Sequence, residues 1–536
     1  MAPAIDTLPD DVDALKAIIL AERKIARAYE AVIAALRTRI ERLRRQKFGR
    51  SSEKIAREIE QLELALEDLQ IAGGGAADPE DADEETTGDA PTGPENESRT
   101  APRRRGKPRI AEDAPRERVT LDSGEACPDC GGDLRLLGED IAEILEYVAA
   151  RLKVIEIARI KKSCRVCQKV VQPPAPTRPI PRSMAGPGLL AHIIIAKYDD
   201  HLPLYRQGEI FARLGADIPR STLIDWCGQA MRTLRPLADR IRERVMETDR
   251  LHADDTPVRV LDPALRKAGK DRGVKEGRIW VYVRDDRPWN GSDPPGTAYF
   301  FSPDRKGEHP RQHLESFEGI LQADAYSGFA RLYLPDAQGE RRIREAACWA
   351  HLRRDFHDVW KGTDSPIARE ALGRICALYD IEREITGRSA DERHAVRQER
   401  SKPKVDAFRV WCEGQLARIP GKGDLAKAMR YALRRWDSFT LFLDDGRVAI
   451  DNNPAERALR PISIGRKNWL FAGSDAGGET LADAMTLIET AKLSGLDPEA
   501  WLADILARIN DHPNPRLDEM LPWNWGNPAE RSTRAA

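Results

Sequence analysis

The chain has 536 residues, room for roughly three or four domains. Charged residues make up 32% of it and aromatics 6%, and 86 Lys plus Arg nearly balance 88 Asp plus Glu, so net charge points to no class of partner. No apolar run approaches the roughly 18 residues that a membrane span needs, and Met1 to Asp13 lacks the basic-then-apolar order of a signal peptide; the expectation is a cytoplasmic protein without a membrane partner.

Charge comes in blocks, basic from Arg23 to Arg57, acidic from Asp78 to Glu97 and basic again from Arg99 to Arg118. Such blocks mark solvated tails or nucleic-acid contacts. From Val12 to Leu43 apolar positions recur in steps of three and four, with Glu22 breaking the seam. After Phe48-Gly49-Arg50-Ser51 the same steps return at Ile55, Ile59, Leu62, Leu66 and Leu69. A stripe of this period buries itself against another helix, so residues 12–71 read as a coiled coil, either a parallel dimer or a hairpin. Residues 73–108, Gly-rich then acidic then Pro- and Arg-rich, read as a disordered linker, because such composition cannot offset its ordering entropy.

A small module is expected over 119–174. Cys127-Pro-Asp-Cys130-Gly-Gly and Cys164-Arg-Val-Cys167 each place two thiolates on a tight turn, with strand-like sequence between them. Tetrahedral Zn2+ takes four such sulfurs at about 2.3 Å, and a closed set of four implies a structural ion in a zinc ribbon. Free or redox thiols are the alternative, but in a reducing compartment paired Cys-x-x-Cys favours metal.

Residues 183–245 read as helical. Leu204 to Gly215 followed by Ser221 to Ala230 has the outline of a helix-turn-helix, with Ser221 as N-cap. Arg220, Ser221 and Thr222 would then stand at the start of a recognition helix; an ordinary packed pair of helices has the same outline. From 246 to 475 strands come first, including Ile279–Val283 and Ala298–Phe301, and then an all-helical insertion at about 356–445. Residues 476–536 read as a C-terminal helical region.

Three acids stand out in that α/β region. Asp254 is expected at a strand edge, Asp324 follows the apolar strand Gly319–Ala323, and Glu456 follows Asp451-Asn-Asn-Pro-Ala. Carboxylates from two strands and a helix can hold two Mg2+ or Mn2+ ions against a phosphodiester. Glu456 has a competing reading, since Asn453 as N-cap, Pro454 at N1 and Glu456 at N3 would make a capping box.

At these residues the chain resembles the transposases of the insertion-sequence-66 family over nearly its whole length. The resemblance rests on Arg45–Lys54, the paired Cys-x-x-Cys module, His252–Val258, Ala323–Gly328, Ala347–Arg354, Asp451–Glu456, Gly465–Ser474 and Leu521–Trp525. It implies a ribonuclease-H-like α/β core with an Asp-Asp-Glu triad, here Asp254, Asp324 and Glu456, interrupted by a helical insertion. Family members often read Asp-Glu-Thr where this chain has Asp254-Asp255-Thr256, so the resemblance leaves open which neighbour ligates metal. Cys348-x-x-His351 resembles an element of related transposases and equally suits a buried Cys with a hydrogen-bonded core His. Arg353, Arg354, Arg460, Arg466 and Lys467 suit DNA phosphates. The implied partners are double-stranded DNA (element terminal repeats and target), further copies of the chain, and small accessory proteins of the same element; the implied place is the nucleoid.

Overall fold

The computed structural model describes residues 109–110, 116–148, 151–269, 273–324, 326–335, 339–466, 468 and 472–526. The expected coiled coil, the linker to residue 108 and Lys467 lie outside them. Strands β1 (Arg109–Ile110) and β2 (Arg116–Leu121) lead into a long hairpin, β3 (Leu134–Val148) and β4 (Arg151–Cys164), closed at its cysteine end by β5 (Val170–Val171). β2 runs parallel to β4, while β3 and β5 run antiparallel to it. The hairpin's far end enters the main core through Leu145, Leu152 and Val154.

Helices α1 (Pro187–Tyr198), α2 (Leu204–Arg213) and α3 (Arg220–Met246) follow, with β6 (Ala216–Asp217) between α2 and α3 pairing with β1. Gly215 takes the left-handed turn at φ +91°. The expected cap at Ser221 is not realised. α3 begins one residue earlier, after Pro219, with no side-chain cap, and runs on through Pro236 rather than ending near Ala230. Proline needs no amide partner at a helix start and presets φ, so the chain turns there without Ser221.

The central sheet has strands β7 (Arg250–Leu261), β8 (Val274–Arg284), β9 (Gly296–Ser302), β10 (Gly319–Ala323) and β11 (Ile343–Ala346), in the order β11-β10-β7-β8-β9. β7, β8 and β9 are antiparallel neighbours; β10 and β11 run parallel to β7. Short helices α4 (Pro263–Lys267) and α5 (Glu308–His313) lie in the connections. The run Ile279–Val283 is buried at every residue, as a strand covered on both faces must be.

Between β11 and the last helices the chain makes a second core. Helices α6 (Trp349–Thr363), α7 (Pro366–Glu384), α8 (Ala390–Val396), α9 (Lys402–Leu416), α10 (Asp424–Arg434) and α11 (Trp436–Asp444) pack around Trp349, Phe356, Phe408 and Phe439. Its two ends meet, because the Trp349 amide donates to the Ile450 carbonyl across 3.1 Å. The insertion is therefore helical from Trp349, about two turns earlier than the expected 356. Arg397 and Glu382 form a buried two-bond pair inside it, at 2.8 and 2.7 Å.

Then α12 (Asn453–Gly465) packs on β7 and β8, and α13 (Asp475–Leu493) on β9. α14 (Pro498–Arg508) packs on α1. Apart from the insertion, one main core draws residues from Leu145 to Leu521, across the boundaries expected at 245–246 and 475–476. No helix of the described residues is long and apolar enough to cross a membrane.

Candidate active site

Parallel pairing brings the first two acids together. β10 pairs with β7 in register from Ile320 opposite Arg250 to Ala323 opposite Ala253. Asp324 and Asp254 are the next residue in each strand, just past the last pair. Asp254 lies inside its strand, not at an edge as expected, since β7 continues against β8 with Asp254 opposite Val281. It is β10 that stops.

Strand alternation separates Asp254 from Asp255. The Asp255 carboxylate is fully buried between two arginines, at 3.1 Å from Arg278 and 2.8 Å from Arg305. Arg305 also lies over the Tyr326 ring at 3.9 Å. Among the described residues no base pairs with Asp254. Its carboxyl is pushed up to about 7, first by desolvation and then by the charges of Asp324, Asp255 and Glu456, against one backbone bond from the Asp255 amide. Asp324 Oδ1 accepts from the Tyr326 amide at 3.2 Å.

Glu456 arrives from the first turn of α12. The cap of that helix is Asn452, one residue before the expected Asn453, and no side chain caps it. Glu456 thus falls beyond the N3 position, and the capping-box alternative is not realised. Its partners lie on α6, with His351 Nε2 at 3.7 Å and Arg354 Nη2 at 3.4 Å. Glu456 Oε1 is buried without a hydrogen-bond partner among the described residues. Asn453 is occupied elsewhere, donating from Nδ2 to Asp451 at 2.6 Å.

Asn452 is the residue that sequence reasoning missed. Fully buried, it donates from Nδ2 to the Ala253 carbonyl at 2.8 Å, and its Oδ1 lies 3.1 Å from His252 Nδ1. Its amide donates to Cys348 Sγ at 3.2 Å, and its carbonyl accepts from the Glu456 amide at 3.3 Å. Through its side chain and its backbone, this one residue ties β7, the cap of α6 and α12 together beside the acids. Burial pushes His252 down to about 4 and the Cys348 thiol up to about 12. The run Asp451-Asn452-Asn453 just before the helix was the available signal.

Ligand atoms of Cys348, His351 and Glu456 lie within 4.8 Å of one another, as do those of the four zinc-module cysteines and of Asp304, Glu308 and His309. Asp254 and Asp324 belong to none of these clusters. Asp254, Asp324 and Glu456 each offer oxygen donors of the kind Mg2+ and Mn2+ take. An unpaired, desolvated Asp254 and an orphaned Glu456 oxygen are what a cation would relieve.

The cysteines converge as expected. Cys127 and Cys167 sulfurs are 3.7 Å apart, Cys130 and Cys164 3.4 Å, and Cys130 and Cys167 3.3 Å. A tetrahedron with bonds of about 2.3 Å needs edges of about 3.8 Å, so the set fits zinc. A Cβ on Gly132 would stand 2.9 Å from Cys164 Sγ, which explains the glycine after the first pair. Backbone amides hold two thiols down, led by Asp129 at Cys127 and by Cys167 at Cys164, the latter to about 7.

The expected DNA-contact residues divide. Ser221 is exposed and Arg220 and Thr222 are half-buried, all in the first turn of α3, and Arg220 lies 6.0 Å over the Tyr205 ring. Arg353, Arg354 and Arg460 are exposed. Arg466 is half-buried and bonded to the Pro257 carbonyl, with Ser463 Oγ at 3.2 Å, so it clamps the end of α12 to β7.

Comparison with known proteins agrees with this architecture. Residues 182–480 match the transposase IS66 family, 486–523 the IS66 C-terminal element, and 125–168 the zinc-finger binding domain of transposase IS66. Residues 35–119 match a family described as transposase C of IS166 homeodomain. The chain is 43% identical over 508 residues to the uncharacterized protein y4hP of Sinorhizobium fredii, covering 92% of this chain and 89% of that one. It is 37% identical over 554 residues to the uncharacterized protein y4qI of the same organism, covering 98% and 99%. No solved structure matches. With more than half of its length inside the family's main domain, and a zinc-finger and a C-terminal element flanking it in order, this chain belongs to the IS66 family of transposases.

Proposed function

We propose that this transposase cuts the ends of its element and joins them to target DNA on a ribonuclease-H-like core, with Asp254, Asp324 and Glu456 as ligands of two divalent cations, Mg2+ or Mn2+. The observation that carries the reading is the in-register meeting of Asp254 and Asp324 where β10 ends, with Glu456 in electrostatic reach. The sheet order β9-β8-β7-β10-β11, three antiparallel strands followed by two parallel ones, supports that reading of the core.

When bound, the cations would activate the attacking water or 3′-hydroxyl and stabilise the leaving oxygen. The protein's part is positioning. Asp254 and Asp324 present oxygens from adjacent strands, and Glu456 presents its own from a helix anchored by Asn452. Asp255, spent on Arg278 and Arg305, holds β7 in place and leaves ligation to Asp254. Arg353, Arg354 and Arg460 lie exposed around the site for phosphates, and Lys467, outside the described residues, is a further candidate for such a contact. Arg466 supports α12 while adding positive charge. Arg220, Ser221 and Thr222 and the zinc module, with Zn2+ on Cys127, Cys130, Cys164 and Cys167, grip the terminal repeats. The N-terminal coiled coil gathers copies of the chain into a homo-oligomer on DNA at the nucleoid, with accessory proteins of the element as further partners.

The test is Asp324→Asn. Metal-dependent cleavage of duplex carrying the flanks of this reading frame should disappear while binding of that duplex persists. Cleavage at the wild-type rate would refute the assignment.

A further inference from the structure

The insertion carries a second charged feature that the three acids do not use. Helix α10 turns Ala428, Met429 and Ala432 into the insertion core. Lys427, Arg430 and Arg434 fall at i, i+3 and i+7, one stripe of the helix, and line a groove of 630 Å³. Tyr431 on the same helix and Tyr333, at the end of the 3-10 turn Ser327–Tyr333, give the groove aromatic walls. That turn begins three residues after Asp324, and Tyr333 lies in electrostatic reach of it. The groove therefore adjoins the Asp324 end of β10.

Its positive charge is not cancelled locally. Arg435 is neutralised by Glu345. Lys427 meets Asp424 at 2.8 Å, but both are exposed, where such a pair holds weakly. Arg430 spends one donor on the uncharged Gly421 carbonyl at 2.5 Å. Among the described residues neither Arg430 nor Arg434 has a carboxylate partner. Forked guanidinium donors and an ammonium along a groove match the spaced oxygens of phosphates, and the tyrosines offer flat, sequence-blind contact.

We propose that this face of α10 binds the phosphate backbone of duplex DNA and leads it to the Asp324 end of β10. The inference rests on the reading of the protein as one that acts on DNA. Backbone contacts of this kind set affinity and register, not sequence preference.

The test compares the full chain with a Lys427→Ala, Arg430→Ala, Arg434→Ala triple variant on a mixed-sequence duplex and on duplex from the reading frame's flanks. Affinity is measured against salt. Each lost phosphate contact should reduce the slope of log K against log salt by about 0.9, so the triple variant should lose about 2–3 from the slope on both duplexes alike. Arg434→Gln alone, at an exposed position where folding is not at stake, should lose about 0.9. A Lys427→Arg, Arg430→Lys, Arg434→Lys variant should keep the wild-type slope. Unchanged slopes in the triple variant and in Arg434→Gln, with wild-type protein binding normally, would overturn the groove alone. Wild-type protein that binds neither duplex would overturn the DNA reading beneath it.

Discussion

Asn452 donates from Nδ2 to the carbonyl oxygen of Ala253 across 2.8 Å, joining the residue that starts α12 to the residue before Asp254. Glu456 lies one turn further along that helix, so this bond fixes the third acid against the first. Asn452→Ala would leave the Ala253 carbonyl and His252 Nδ1 buried without partners, which costs about 1–3 kcal/mol. Urea unfolding should show a lower midpoint with an unchanged slope. Strand cleavage should fall further than DNA affinity does, since the loss moves Glu456 and leaves the exposed Arg353 and Arg354 of α6, proposed to meet DNA, in place.

Asp254 and Asp255 are neighbours with opposite expected phenotypes. Asp255→Asn breaks a buried charge held by Arg278 and Arg305. Because Arg305 is 39% exposed, the loss is about 2 kcal/mol, below the full cost of splitting a buried pair. Asp254→Asn removes a desolvated, repelled carboxylate, so metal-free protein should unfold no earlier than wild type while cleavage is lost. Unfolding midpoints and cleavage rates of both variants check this; a stable Asp255→Asn beside an unfolded Asp254→Asn would reverse the roles.

Zinc removal should act locally. The cysteine end of the β3–β4 hairpin stands outside the main core, while Leu145, Leu152 and Val154 anchor the other end within it. Metal analysis should find about one zinc per chain, as a closed set of four thiolates requires. After chelation, limited proteolysis should cut near residues 121–134 and 165–170, and the main unfolding transition should remain.

His313 supplies a pH dependence away from the acids. It stacks on Phe300 at 4.3 Å and its Nδ1 lies 3.1 Å from the Tyr282 hydroxyl. Desolvation among these rings pushes it down to about 3. A histidine lowered in the folded state binds its proton in the unfolded chain first, so stability is whole above the unfolded value of about 6.5 and falls as pH drops below it. This group should contribute a loss of about 1.4 kcal/mol per pH unit between about 6.5 and about 3. Unfolding of His313→Gln should be flatter across that window.

Local chemistry was the legible part. The two Cys-x-x-Cys pairs lie on turns that their own spacing makes, and the strand runs around Ile279 and Tyr299 carry their period in the sequence. What was illegible depends on which strand stops first and which side chain the core captures. Asp254 reads as a strand edge because the parallel partner ends beside it, although β7 itself runs on to Leu261. Two consecutive asparagines left the start of α12 ambiguous, and the choice fell to Asn452 because Ala253 and Cys348 draw it inward. Nothing in the sequence around Arg397 and Glu382 marks them as buried, yet they are buried against each other in the insertion core.

Glu456 is the member of the proposed triad that its local sequence supports least, so it offers the sharpest test. Duplex carrying the reading frame's flanks is incubated in Mg2+ with wild-type protein and with Glu456→Gln, and cleaved strands are counted. The account predicts that cleavage falls by orders of magnitude in Glu456→Gln while the variant still binds the duplex. Cleavage by Glu456→Gln at the wild-type rate would contradict it.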